Sequence, residues 1–139
     1  MGVDLPEIAV LDTHALLWWM GGPARRLGRR ARAFVDRVDE GRAVACIPVI
    51  SLVEMGEAIR SGGFSLDESF ARFVERLDGT PSRYQVVPLT VGMAARAHDL
   101  FAIPERGDRL IAATALELGY PLVTRDPAIA TVIGDKVVW

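Results

Sequence analysis

Short apolar runs that alternate with helix-period segments constrain this chain more than any other feature. Residues 7–11, 43–47, 84–88 and 122–124 read as short buried strands. Between them the apolar residues recur at helical spacing. A short helix over 15–20 is stopped by Gly21-Gly22-Pro23, and Leu27, Ala31, Phe34, Val35 and Val38 mark the next. Residues 51–59 form a third, closed by Gly62-Gly63. Ser65 and Glu68 form a capping box for a fourth, with a stripe of Leu66, Phe70, Phe73, Val74 and Leu77. Helices over 90–101 and 108–118 follow, the latter ended by Gly119. Residues 136–138 add a fifth strand at an edge. Strand alternating with helix predicts an α/β fold, a parallel sheet covered by helices on both faces.

At 139 residues the chain has the length of one domain, spanning 1–139. Half its residues are hydrophobic, so it folds instead of remaining disordered. The lone Cys46 cannot make an internal disulfide; it reads as a core thiol and suits a reducing compartment. The apolar stretch 8–20 is broken by Asp12 and His14 and has no basic leader, and no stretch is long enough to span a membrane. A cytoplasmic location is expected.

The net charge of −2 gives no bulk argument for nucleic-acid binding. The cations are nevertheless unusual: fifteen are Arg and only Lys136 is Lys. Arg25, Arg26, Arg29, Arg30 and Arg32 crowd one stretch. They are either a solvated helix face or a phosphate-binding patch, since the guanidinium fork matches phosphate.

Most of the 18 acids should be solvated, but four stand in apolar settings at element boundaries. Asp12 follows the first strand, and Glu54 lies one turn into the helix after the second. Asp108 opens the helix 108–118, and Asp126 follows the fourth strand. Taken singly, each has a structural explanation. Asp12 and Asp108 suit helix N-caps, Glu54 could complete a capping box with Ser51, and Asp126-Pro127 suits a turn. Taken together, all four reach the carboxyl ends of parallel strands, where open α/β sheets bind ligands. Carboxylates gathered there repel one another unless cations neutralise them. Mg²⁺ or Mn²⁺ suits such a site, and can activate water and stabilise a leaving oxygen in phosphoryl displacement. Glu57 is a weaker candidate, better read as exposed. His14 reads as a packing or substrate-facing residue, and Trp18, Trp19 and Met20 as core or partner interface. Arg109 and Arg125 flank two of the acids and could pair with them or touch substrate phosphate.

The string from Val10 through Asp12-Thr13-His14 to Trp19 resembles the opening of VapC-type PIN-domain toxins. Ser51-Leu52-Val53-Glu54, Gly107-Asp108-Arg109-Leu110-Ile111-Ala112-Ala113-Thr114-Ala115 and Leu122-Val123-Thr124-Arg125-Asp126 resemble the family's later acidic motifs, in family order. The resemblance implies a three-layer α/β/α sandwich around a mainly parallel sheet of four to five strands. It implies an Mg²⁺- or Mn²⁺-dependent endoribonuclease with Asp12, Glu54, Asp108 and Asp126 as metal-site acids. Thr13 and Thr124 would be supporting hydroxyls, with Arg109 beside them. It also implies a homodimer, an RNA substrate, and a cognate antitoxin whose tail covers the acidic pocket. Apolar residues between 51 and 77, including Met55, Ile59 and Phe64, exceed one core face and would receive that partner. One departure is Gly56, which weakens the helix carrying Glu54.

Rival folds fit less well. A haloacid-dehalogenase-type phosphatase needs a second Asp where His14 stands. A response-regulator receiver needs an acceptor Asp after the third strand, where the chain reads Val86-Val87-Pro88-Leu89. The remaining alternative is a PIN fold without a toxin role, either a housekeeping ribonuclease or an inactive partner-binding module.

Overall fold

The computed structural model describes residues 4–139. Five strands form one parallel sheet: β1 (Ile8–Leu11), β2 (Val44–Pro48), β3 (Tyr84–Val87), β4 (Leu122–Val123) and β5 (Val137–Val138). Their spatial order is β3-β2-β1-β4-β5, with Val10 opposite Cys46 on one side and Leu122 on the other. Among the described residues the seven α-helices are α1 (Thr13–Gly21), α2 (Arg29–Asp39), α3 (Val49–Arg60), α4 (Phe70–Asp78), α5 (Val91–His98), α6 (Arg106–Leu118) and α7 (Pro127–Ile133).

Alternate residues of each strand feed opposite faces, as the two-residue period requires. Ala9, Leu11, Ala45 and Ile47 pack with Phe34, Val35, Leu52, Met55 and Phe73 from α2, α3 and α4. Val10, Cys46 and Leu122 face the other way, onto Ile111, Ala112, Ala115 and Ile129 from α6 and α7. Both faces of the sheet are therefore covered, which is why its strands read as apolar runs without alternation. Cys46 is buried, and burial pushes its thiol up to about 11, so it stays a protonated core group. Among the described residues no helix is long and apolar enough to cross a membrane.

Several boundaries differ from the sequence expectation. Strand β2 passes into α3 without a loop, and Pro48 is the N-cap. Ser51 therefore lies buried inside the first turn, so it forms no capping box with Glu54. Ser65 does not cap α4 either; Ser69 does, accepting from the Arg72 N–H at 3.2 Å, while Glu68 pairs with Arg76. Helix α5 ends at His98 and leaves Phe101 exposed. Helix α7 has no counterpart in the sequence reading. Its signal was Asp126-Pro127: an Asp cap followed by Pro at the first helical position starts a helix as readily as a turn.

Gly56 does not interrupt α3. A Cβ there would stand 3.2 Å from the Phe70 ring, so the missing side chain lets α4 approach. Met55 is fully buried, and Phe64 packs against Gly21. Part of the apolar excess expected at an interface thus belongs to the core.

Candidate active site

The chain reverses direction across the sheet at β1. Strands β2 and β3 lie on one side of it, and β4 and β5 on the other. Beyond the carboxyl ends of β1 and β4 the helices diverge, and that switch point is where a crevice forms in open α/β sheets. A cleft of about 280 Å³ lies there, with Asp12, Thr13, Asp108 and Asp126 in its lining.

Asp12 ends β1 and caps α1, with Oδ1 accepting from the Ala15 N–H at 2.8 Å. Its Oδ2 accepts from the Thr124 hydroxyl at 2.5 Å. Only 5% of Asp12 is exposed. Burial raises its pKa, opposed by the Thr124 and Ala15 bonds, while Asp126 raises it further. Asp126 caps α7, with Oδ1 accepting from the Ala128 and Ile129 N–H groups. Its own N–H donates to Thr124 Oγ1 at 3.1 Å. Thr124 thus links the two acidic strand ends, accepting from one and donating to the other.

Glu54 approaches from α3. The Thr13 hydroxyl donates to Glu54 Oε1, tying the first turn of α1 to the second acid. The carboxylate of Glu54 also lies against the backbone of Gly107, where a Cβ would stand 2.9 Å from Cδ. Asp108 is on the first turn of α6 but is not its cap, because the helix begins at Arg106 after Glu105. Burial pushes the Asp108 carboxyl up to about 6, and Asp126, Glu54 and Asp12 add to the shift in that order. All three other acids therefore act on Asp108 through space.

Asp12 is a helix cap, as its structural reading held, and Asp126 caps α7 where a turn was expected, yet both also line the cleft. The other candidates divide. Arg109 turns away and donates to the Ile103 and Pro104 carbonyls, both at 2.8 Å, so it secures the loop before α6. Glu57 is exposed in a shallow groove between α3 and α4. The Arg cluster disperses: Arg32 pairs with Asp36, Arg30 reaches backbone carbonyls, and Arg26 lies over Trp18. Gly107 carried no role in the sequence reading beyond its place in a motif, and it is part of the site.

The donor set is oxygen alone, which suits a hard divalent cation. Among the described residues no three His, Cys, Asp or Glu side chains gather tightly enough to enclose an ion unaided. Mg²⁺ is commonly met by one or two carboxylates and keeps several waters, so this spacing and the repulsion on Asp108 fit such an ion.

A parallel sheet with an acidic cleft at its switch point defines a class, and comparison with known proteins agrees with it. The chain belongs to the PIN-domain family, whose model matches residues 9–134, and within it to the VapC ribonucleases. Ribonuclease VapC22 from Mycobacterium tuberculosis is 33% identical over 122 residues, covering 84% of this chain and 85% of its own. Among solved structures, a toxin–antitoxin complex from Klebsiella pneumoniae shares the fold with a TM-score of 0.61 at 21% identity. That match covers 94% of this chain and 96% of the other. FitAcB from Neisseria gonorrhoeae matches with a TM-score of 0.59 at 20% identity, covering 94% and 95%.

Proposed function

We propose that this chain is the toxin of a toxin–antitoxin pair and acts as an Mg²⁺- or Mn²⁺-dependent endoribonuclease in the cytoplasm. The observation that carries the reading is the gathering of Asp12, Asp108 and Asp126 in the lining of one cleft, with Glu54 near enough to act on Asp108 through space. Asp12 and Asp108 would hold the ion, with Asp126 and Glu54 completing the acidic site. A divalent ion there would neutralise the carboxylates and lower the pKa of a water that attacks the phosphodiester. Thr124 and Thr13 orient Asp12 and Glu54, and the packing around Gly107 fixes where the Glu54 carboxylate sits.

The partner reading rests on the similar proteins solved as toxin–antitoxin complexes. A groove between α3 and α4, lined by Val53, Gly56, Ile59 and Phe70, offers apolar surface for an antitoxin helix. Val53 there is 50% exposed. A cationic side chain extended from such a helix would relieve the repulsion in the cleft. The toxin itself would be a homodimer.

Induced expression of the chain, with RNA ends mapped before and after, tests both halves. Growth arrest with new RNA ends is expected, absent in Asp12→Asn and suppressed by co-expression of the product of the adjacent gene. RNA cleavage without growth arrest would leave a PIN ribonuclease that is not a toxin. Cleavage by Asp12→Asn at the wild-type rate would overturn the site.

A further inference from the structure

The acidic residues line only part of the cleft. Trp18, Arg125 and Trp139 line another part, with His14 between. Trp18 is the centre of that wall. The Arg125 guanidinium lies 5.3 Å from its ring centroid and the Arg26 guanidinium 5.8 Å. Trp139 meets the same ring edge-on at 5.9 Å, and His14 stands 5.5 Å away.

The wall is anchored from behind. The Trp139 carbonyl accepts from the Arg30 and Ala31 N–H groups, satisfying the start of α2. Gly28, just before that helix, admits Trp139, because a Cβ there would stand 2.6 Å from the indole.

Among the described residues neither Arg26 nor Arg125 forms an ion pair, although Arg125 lies next to Asp126 in sequence. Both are exposed. Arg125 lines the acidic cleft and Arg26 lies over the same indole, so the two cations are placed for an anion outside the protein. Stacking on Trp18 holds each guanidinium without consuming its hydrogen-bond donors, which stay free for a bidentate contact.

We propose that Arg125 and Arg26, oriented by Trp18, bind a backbone phosphate that flanks the scissile one in single-stranded RNA. This rests on the ribonuclease reading and adds to it a substrate subsite. The acids and their ion would act on the scissile phosphate, while the adjoining negative charge needs a separate receptor that the acids cannot provide. Arg125 stands between Thr124 and Asp126 in the chain, just beyond the end of β4, so the subsite is tied to the same backbone as the reacting centre. Arg26 and Arg125 contact substrate; Trp18 is a positioning residue. The wall also explains how a chain of net charge −2 recognises a polyanion, since local placement of cations outweighs the net sum.

The test uses full-length protein carrying Asp12→Asn, a variant chosen to hold RNA without cutting it. Binding of a short single-stranded RNA of mixed sequence is followed by fluorescence anisotropy across a salt series. Arg125→Gln and Arg26→Gln should each weaken binding severalfold. Each should also reduce the slope of log affinity against log salt by about 0.7, the value for one lost phosphate contact on a single strand. Arg125→Lys should keep the slope but bind less tightly, because the planar fork is lost. Trp18→Leu should weaken binding as both arginines lose their platform, and Trp18→Tyr should restore most of it. In the cleaving protein, Arg125→Gln should raise KM about tenfold with little change in kcat.

Unchanged slope and affinity in Arg125→Gln and Arg26→Gln, while the parent protein binds and the wild type cleaves, would overturn the subsite and leave the nuclease standing. Loss of binding to the adjacent gene's product, with RNA binding intact, would assign the wall to a protein partner and also overturn it. A wild type that neither binds nor cleaves RNA would remove the ribonuclease reading, and the subsite with it.

Discussion

Gly107 and Glu54 are in direct contact across two helices: the carboxylate of Glu54 rests where a side chain on Gly107 would be, with Cδ 2.9 Å from an added Cβ. The obstructed atoms belong to the end of a flexible side chain, so the fold can absorb a methyl group there but the acid must move. Gly107→Ala should therefore separate stability from activity. Helix propensity favours Ala by about 1 kcal/mol, so the melting temperature should hold or rise slightly. Cleavage should fall at least tenfold. A melting curve beside an RNA-cleavage assay checks this, and wild-type cleavage would show that the Glu54 position is not needed.

Thr124 is 1% exposed and bridges Asp126 to Asp12. Thr124→Val keeps the shape but leaves the Asp12 Oδ2 atom and the Asp126 N–H without this partner. Stability should drop by about 1–3 kcal/mol, as for a buried polar group deprived of its bond. Chemical denaturation measures it, and a loss below about 0.3 kcal/mol would mean water replaces the hydroxyl.

Asp108 should make the metal-free protein pH-sensitive. Its carboxyl moves from the usual 3.8 up to about 6 through burial and then Asp126, Glu54 and Asp12. The folded state thus holds this proton more tightly than the unfolded chain. Stability should rise as pH falls from about 6 towards 4, and be lost again as pH rises through 6. In EDTA the melting temperature should be higher at pH 5 than at pH 7. Asp108→Asn should flatten that difference and raise the value at pH 7. An unchanged profile in the variant would show that the carboxyl is not under this strain.

Chelation should stop RNA cleavage, and Mg²⁺ or Mn²⁺ should restore it. Ca²⁺ should restore it poorly, because it prefers longer bonds and more ligands. Mg²⁺ should also raise the melting temperature at pH 7, less so in Asp108→Asn. Full cleavage in excess chelator, with Asp12→Asn as the control for contaminating nuclease, would exclude a metal-dependent route.

Much of the fold was legible in the residues because it depends on local periodicity. The apolar runs of β1 to β3 and the stripe Leu27, Ala31, Phe34, Val35 and Val38 of α2 announce buried elements wherever they sit. The ends of elements were less legible. Ser51 and Ser65 both have the chemistry of a cap, but β2 runs straight into α3 and Ser69 takes the cap of α4. A capping residue stabilises a helix end without fixing where packing lets the helix begin.

The four acids were visible as anomalies, charged groups among apolar neighbours, and their order along the chain carried the family resemblance. What the sequence by itself determined is the set of elements, α7 excepted, and the inventory of acids, since both follow from residue chemistry and short-range spacing. Which side chains face the cleft was decided only by the tertiary structure. Arg109 and Arg125 stand beside acids in equivalent ways along the chain, yet one secures a loop and the other lies over Trp18. Trp18 meets Trp139, and Glu54 meets Gly107, across distances in sequence that no local pattern encodes. Those meetings follow from the parallel crossovers, which bring the carboxyl ends of β1 and β4 side by side and leave the crevice between them.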